Sequence, residues 1–334
     1  MEKKKKTNKM RQKVLHLLRG AGEKYISGAQ IAERLGVSRT AVWKHIRELQ
    51  TEGYEIVSQL HHGYRLQEVP DRLLPGEIQN GLQTQRFGKD VVYYDEVVST
   101  NTAAKRLAAE GAHEGTIVIS ETQLGGRGRM DRSFFSPKGK GIWCSLILRP
   151  PFLPQDAPKC TLLAATALVL AMADFHLTAG IKWPNDIMAG GKKLVGILTE
   201  MSAEMDKINY LVVGMGINVN ILPEDFPAEL QDKATSLAIL QGECLSRVKF
   251  LQAVLERLEQ LYEIVLRTES FAEVLNLWRK YSLTLGNQVS VIGPKETFQG
   301  EALDIDADGA LLVQTEHGIR RVLAGDVSIR PVQQ

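Results

Sequence analysis

Arg127, Arg129 and Arg132 recur inside one glycine-rich run, Gln123-Leu124-Gly125-Gly126-Arg127-Gly128-Arg129-Met130-Asp131-Arg132. Glycines let a backbone come close to a phosphate, and guanidinium groups give its oxygens charge-assisted donors, so the run is suited to an anion. It is not a P-loop, because no Gly-Lys-Ser/Thr follows, nor a dinucleotide fingerprint, because the third glycine and the following helix are missing. A plain mobile basic loop is the competing reading.

Three further motifs accompany it. Ser99-Thr100-Asn101-Thr102 offers hydroxyls and an amide that either cap a helix or hydrogen-bond a polar ligand head. Lys182-Trp183-Pro184-Asn185-Asp186 puts a lysine at a strand end beside a proline-fixed turn, where the bland alternative is a snorkelling surface residue. Tyr210 to Asn220 is too β-branched for a helix and too glycine-rich for an ordinary strand; Gly214 and Gly216 would admit a ligand ring or a neighbouring backbone.

The elements that must position these residues are legible from periodicity. A strand over Val91–Val98 leads to Ser99, and a helix is expected over about Ala103–Ala109. A strand over Thr116–Glu121 feeds the arginine loop, another ends at Lys182, and a third begins in Lys193-Leu194-Val195-Gly196-Ile197-Leu198. The apolar run Leu162 to Ala173 falls short of the roughly 20 residues that span a bilayer and reads as a buried helix. From Gly286 to Pro331, short alternating strands with Val289, Val291, Gly300, Asp306, Gly309, Leu311, Val313 and Asp326 at faces and turns predict a small β domain.

The amino-terminal region has a different character. Val14, Leu15, Leu17 and Leu18 recur at helical spacing until Gly20 and Gly22, and a second helix follows Ser27 through Ile31, Ala32 and Leu35. Gly36-Val37-Ser38 forms a tight turn, with Ser38 capping a third helix from Arg39 to about Gln50. On that helix Val42, Ile46 and Leu49 share one face, which leaves Thr40, Lys44 and Arg47 on the other. An exposed row of this kind suits a major groove, and the hairpin pattern of Tyr54–Leu66, with His61 and His62 at its tip, supplies a wing.

With 334 residues, 44% hydrophobic and 24% charged, the chain has room for two or three globular domains and is not disordered as a whole. A net charge of +2 is too small to make the entire molecule a nucleic-acid binder, yet Lys3, Lys4, Lys5, Lys6, Lys9, Arg11 and Lys13 crowd the start. No apolar stretch follows them, so they are not a secretory signal. Cys144, Cys160 and Cys244 fit neither a disulfide framework nor zinc spacing, which predicts buried thiols in a reducing cytoplasm; the shortness of the apolar run Leu162 to Ala173 predicts no membrane span.

Ser-Thr-Asn, Gly-Arg-Gly-Arg-x-x-Arg, Lys-Trp-Pro-Asn-Asp, Lys-Leu-x-Gly-Ile-Leu and Gly-x-Gly-x-Asn, in that order, resemble the biotin protein ligases. With the winged-helix segment in front, the resemblance covers nearly the whole chain and points to the longer, repressor-carrying class. It implies an α/β (α+β) chain: a winged helix-turn-helix over 1–68, a linker over 69–80, a mixed-sheet biotin/lipoate-ligase-like catalytic domain over 81–281, and an SH3-like small β-barrel over 282–334.

The family's reaction joins the carboxylate of biotin to the α-phosphate of ATP and then passes the acyl group to a lysine of a biotin carboxyl carrier protein. At about 4 Å in an effective dielectric near 20, two like charges repel by roughly 4 kcal/mol, so cations must stand between the two anions. Lys182, Arg127 and Arg129 are the catalytic candidates. The resemblance further implies that biotin and its adenylate meet Ser99, Thr100, Asn101, Gln123, Gly126, Gly128, Gly196, Gly216 and Asn218. It implies Mg2+ with the ATP, at ligands left open, and a loop that orders when filled. Operator DNA would be met by Ser38, Arg39, Thr40, Lys44 and Arg47, and by His61 and His62 of the wing, and the chain would form a homodimer with biotinyl-AMP bound. Phe134 stands where many members have Trp, and Gly125 where Ala is common. A lipoate ligase, a non-catalytic sensor, and a ligase with an idle winged helix are the alternatives.

Overall fold

The computed structural model describes residues 2–293, 296–325 and 328–331, excluding the side chains of residues 2–9, 131, 328 and 331. Asp326 and the side chains of Lys3, Lys4, Lys5, Lys6 and Lys9 therefore lie outside the described residues. Contacts divide the chain into two units, Met1–Asp71 and Arg72–Gln334.

The first unit is three helices and a hairpin: α1 (Glu2–Ala21), α2 (Gly28–Leu35), α3 (Arg39–Thr51), β1 (Glu55–Gln59) and β2 (Gly63–Glu68). Ser27 accepts from the Gln30 N–H at 3.1 Å, and the Gln30 side chain returns the bond to the Ser27 N–H, which closes a capping box. Gly36 ends α2 at φ 64°, a conformation glycine adopts without steric cost, and Ser38 caps α3 through the Ala41 N–H. Val14, Leu18, Ile31, Val42, Ile46 and Leu49 close the core. Helix α1 begins well before Lys13, where periodicity first shows it, because the lysines ahead carry no apolar pattern while remaining good helix formers.

The second unit is built on a seven-stranded mixed sheet of order β3-β4-β5-β9-β8-β7-β6. Its strands are β3 (Val91–Tyr94), β4 (Ile117–Ser120), β5 (Gly141–Leu148), β6 (Gly180–Lys182), β7 (Asp186–Ala189), β8 (Lys192–Ala203) and β9 (Ile208–Asn218). Only β3 and β4 run parallel. Helix α4 (Pro75–Gln79) precedes the sheet, and α5 (Thr100–Ala109) crosses one face, packing Ala104 and Ala108 on Val118, Ile147 and Val212. On the opposite face, α6 (Ala157–Asp174), α7 (Leu237–Gln241), α8 (Arg247–Thr268) and α9 (Ala272–Lys280) bury Leu168, Val254, Leu258 and Trp278 with the alternate strand residues.

A second sheet, order β13-β12-β11-β10-β14, is antiparallel throughout: β10 (Gln288–Ile292), β11 (Thr297–Ile305), β12 (Leu311–Thr315), β13 (Gly318–Val322) and β14 (Ser328–Pro331). Val289, Ala302, Leu311 and Val313 share one hydrophobic cluster with α6.

Several expectations need correction. Residues 210–220 lie mostly in a regular strand, β9, laddered on both sides; the glycines do not weaken it because side chains from elsewhere cover them. The strand after Val91 stops at Tyr94, and α5 starts at Thr100 because Ser99 caps it. Not all of 69–80 is connection, since Leu73 and Ile78 are fully buried. Cys144 and Cys160 are buried as expected, but Cys244 is exposed, on the turn before α8. With its preceding turn, Pro154–Asp174 is long and apolar enough to cross a membrane, yet 72% of that window is buried inside the fold, as in a core helix.

Candidate functional site

Strand register assembles the site. Lys182 pairs with Asp186, Asp186 with Gly196, Gly196 with Gly216, and Gly216 with Trp143. Directly opposed residues point to the same face, so three separate motifs become one row across five strands. The row floors a cavity of about 240 Å³.

One end of the cavity is polar and uncharged. The first turn of α5 lays Thr100 and Asn101 over β5, where the Ser145 hydroxyl lies 2.8 Å from Thr100 Oγ1 and 2.6 Å from Asn101 Oδ1. Gln123 Oε1 accepts from the Thr100 N–H at 2.8 Å and from its hydroxyl at 3.1 Å, while its Nε2 donates to Ser136. Asn101 Nδ2 donates to Glu200 at 2.8 Å and to the Leu198 carbonyl at 3.1 Å. A Cβ on Gly214 would lie 2.0 Å from Asn101 Oδ1, which is why this position carries none. Each side-chain orientation is set by its neighbours before any ligand arrives.

The other end is cationic. Lys182, Arg127, Arg129, Arg132 and Lys193 line it, and Asp186 is the one carboxylate among the described wall residues. Burial is the largest influence on the Lys182 ammonium and lowers its pKa, which Asp186 opposes while Lys193, Arg330 and Arg132 reinforce the lowering. Asp186 pairs with Lys193 at 2.6 Å. Neither Lys182 nor the exposed Arg127 makes a side-chain hydrogen bond or ion pair to a described residue. Arg129 is engaged: it donates to Asn185 Oδ1 at 3.2 Å, to the Ala324 carbonyl at 2.5 Å and to the Gly325 carbonyl.

The Phe134 ring lies against Gly196 and Gly216, where added Cβ atoms would approach it to 2.8 and 2.5 Å. Its edge meets Trp143 at 5.9 Å between centroids, and Lys193 Nζ lies 5.7 Å from its centre. Trp183, fully buried after β6, donates through Nε1 to the Gly309 carbonyl at 3.1 Å, which fixes the Lys182 strand end to the small sheet.

Of the residues expected from sequence, Ser99, Thr100, Asn101, Gln123, Arg127, Gly128, Arg129, Lys182, Gly196, Gly216 and Asn218 all line this cavity. Gly126 does not; it packs tightly against the Phe134 carbonyl and Ser136 Oγ. Ser145 and Glu200 were missed, because nothing along the chain marks which strand residue faces α5. Arg132, from the arginine run, and Lys193, from Lys-Leu-x-Gly-Ile-Leu, also line the cavity. Among the described residues no three His, Cys, Asp or Glu side chains converge on a metal site.

In the first unit, Ser38, Arg39, Thr40, Lys44 and Arg47 are exposed along α3, and His61 and His62 are exposed at the hairpin tip. Trp43, overlooked in the sequence, lies among them and is 52% exposed, with the Arg47 guanidinium 5.4 Å from its ring centre.

Fold and site together define a helix-turn-helix module joined to a mixed-sheet ligase domain. Residues 94–218 match the biotin/lipoate A/B protein ligase family, residues 10–65 an HTH domain, and residues 284–330 the biotin protein ligase C terminal domain. The chain is 44% identical to the bifunctional ligase/repressor BirA of Bacillus subtilis, over 96% of this chain and 98% of that one. It is 30% identical to BirA of Escherichia coli over 98% of this chain and 100% of that one. The structure of the Aquifex aeolicus biotin protein ligase in complex with biotin and ATP superposes with a TM-score of 0.65 at 30% identity, covering 73% of this chain and 99% of that one. The chain belongs to the bifunctional biotin ligase/repressor family.

Proposed function

We propose that the cavity activates biotin with ATP and delivers it to a protein lysine, and that the first unit binds operator DNA. The carboxylate of biotin attacks the α-phosphorus, the bond to pyrophosphate breaks, and biotinyl-5'-AMP is held in the cavity. The ε-amine of a carrier-protein lysine then displaces AMP and forms the amide. The observation that carries this reading is the polarity of one cavity, neutral hydrogen-bonding groups at one end and cations at the other.

Ser99, Thr100, Asn101 and Gln123 hold the biotin end in this reading, supported by their fixed orientations around Ser145. Lys182 and Arg127 neutralise the carboxylate and α-phosphate as they approach, acting by position and charge rather than by forming a bond. Arg129 and Asn185 close the loop over the reacting groups, which limits hydrolysis of the mixed anhydride. Mg2+ bound with ATP would supply charge neutralisation of its phosphates and would be held mainly by their oxygens, with Asp186 the one carboxylate among the described wall residues that could join them.

The regulatory part is a proposal of the same standing. Biotinyl-AMP bound in the cavity favours a homodimer, and two α3 helices then meet a two-fold operator, with Thr40, Lys44 and Arg47 in the groove. The protein acts in the cytoplasm, where acceptor and operator are both present. Biotin-dependent exchange of pyrophosphate into ATP tests the chemistry; exchange with lipoate in place of biotin contradicts the reading. A gel shift with operator DNA, titrated with and without biotin and MgATP, tests the repressor, and dimerisation indifferent to the adenylate contradicts the corepressor role.

A further inference from the structure

Among the described residues, Arg247 is the most deeply buried cation, and the chemistry above leaves it unused. Arg247, the first residue of α8, is 1% exposed, and its partner Glu121 is 2% exposed. Arg247 Nη1 lies 2.8 Å from Glu121 Oε2 and donates to the Gly141 carbonyl at 3.1 Å. The other oxygen of Glu121 accepts from the Leu73 N–H at 3.0 Å.

The positions of these partners are informative. Strand β4 ends at Ser120 and β5 begins at Gly141, so Glu121 and Gly141 are the two feet of the loop that carries Gln123, Arg127, Arg129 and Phe134. Above the feet the loop is an irregular hairpin. Gly139 donates to the Glu121 carbonyl at 3.1 Å, Thr122 Oγ1 to the Ser136 carbonyl at 2.8 Å, Phe134 to Gly126 at 2.8 Å, and Gly128 to Arg132 at 2.7 Å. These hydrogen bonds run from the base of the hairpin towards its tip. One guanidinium, reaching from the helix layer behind the sheet, bonds both feet.

A buried ion pair is a weak source of stability, because desolvating both charges offsets most of their attraction, and an apolar pair of similar volume would hold the core equally well. What the planar fork of arginine adds is direction, with acceptors held at fixed angles. We infer that Arg247 is a positioning residue for the reaction: it sets the base of the arginine loop so that the tip closes on the nucleotide and keeps water from the adenylate. The inference rests on the ligase reading given above.

The test compares Arg247→Lys, which keeps the charge and loses the fork, with the double variant Arg247→Met/Glu121→Leu, which removes both charges of this pair together. Val254→Ala, a cavity in the core face of the same helix, serves as a purely structural control. The measurements are AMP formed per biotin transferred to a carrier domain, KM for ATP, kcat, and Tm. AMP in excess of biotinylated carrier reports adenylate lost to water, which returns biotin and AMP. Both arginine variants are expected to raise the AMP-to-product ratio and to raise the KM for ATP by about tenfold, as small misplacements of positioning groups do. Val254→Ala is expected to lower Tm with the ratio unchanged. Wild-type coupling and KM in both arginine variants, or an equal rise in Val254→Ala, would overturn the inference alone. A wild-type chain that forms no biotin-dependent AMP would overturn the ligase reading with it.

Discussion

The carboxylate of Asp186 is held 2.6 Å from the ammonium of Lys193. Lys182, directly across the β6–β7 ladder from Asp186, is thereby left without an ion-pair partner among the described residues while facing the cavity. A half-buried ammonium with its charge uncommitted is what an incoming carboxylate and phosphate require.

Lys182 should therefore govern an alkaline limb. Its pKa is lowered, chiefly by burial, so the free protein loses this charge below the ordinary lysine range as pH rises, and kcat/KM for adenylate formation should fall there. Arg keeps its charge at every working pH, so Lys182→Arg should remove that limb at reduced rate. Lys182→Met should lower kcat by about 10²- to 10³-fold at neutral pH, as loss of a transition-state charge contact does. Pyrophosphate exchange across pH reads all three; an alkaline limb unchanged in Lys182→Arg would assign it to another group.

The glycines of β9 make a second, steric prediction. Gly214→Ala would drive a methyl to 2.0 Å from Asn101 Oδ1, and Gly216→Ala would press one on the Phe134 ring at 2.5 Å. Each should cost about 1–3 kcal/mol of stability through overpacking. Gly214→Ala should raise KM for biotin and Gly216→Ala KM for ATP, each at least about tenfold, if misplacing a positioning group acts as it commonly does. Calorimetry and initial rates separate the two effects.

On the DNA side, charge and shape should part company. Lys44→Ala and Arg47→Ala should weaken binding and, where they contact phosphate, reduce the slope of log K against log salt by about one each. Trp43 carries no charge, so Trp43→Ala should weaken specific binding with the salt slope unchanged. Fluorescence anisotropy at several salt concentrations decides; a shallower slope for Trp43→Ala would mean that its role is to hold Arg47 on its ring.

The thiols should differ sharply. Burial pushes Cys144 and Cys160 up to about 12, so they stay protonated at neutral pH, whereas Cys244 is exposed. A neutral maleimide should label one cysteine in the native protein and three after denaturation, and mass spectrometry should place the first at Cys244.

The arginine loop, the Lys-Trp-Pro-Asn-Asp turn and the three-helix pattern were readable because each depends on local chemistry: glycine freedom, a cap, or helical spacing. Register was not readable. Lys182, Gly196 and Gly216 lie far apart in sequence and meet only because β6 to β9 pair as they do, so the glycine-rich segment looked unlike a strand when its missing side chains were being supplied by Asn101 and Phe134. Trp43 was passed over because an aromatic on a helix is ordinarily core. Arg129 was expected to reach for phosphate, and sequence could not reveal that carbonyls of residues 324 and 325 already engage it.

The most direct test of the account is incubation of the chain with biotin, MgATP and a carrier domain, followed by streptavidin detection. The account predicts a biotinylated carrier with wild-type protein and loss of nearly all signal with Lys182→Met. A carrier left unlabelled by the folded wild-type chain, or labelled equally well by Lys182→Met, would contradict it.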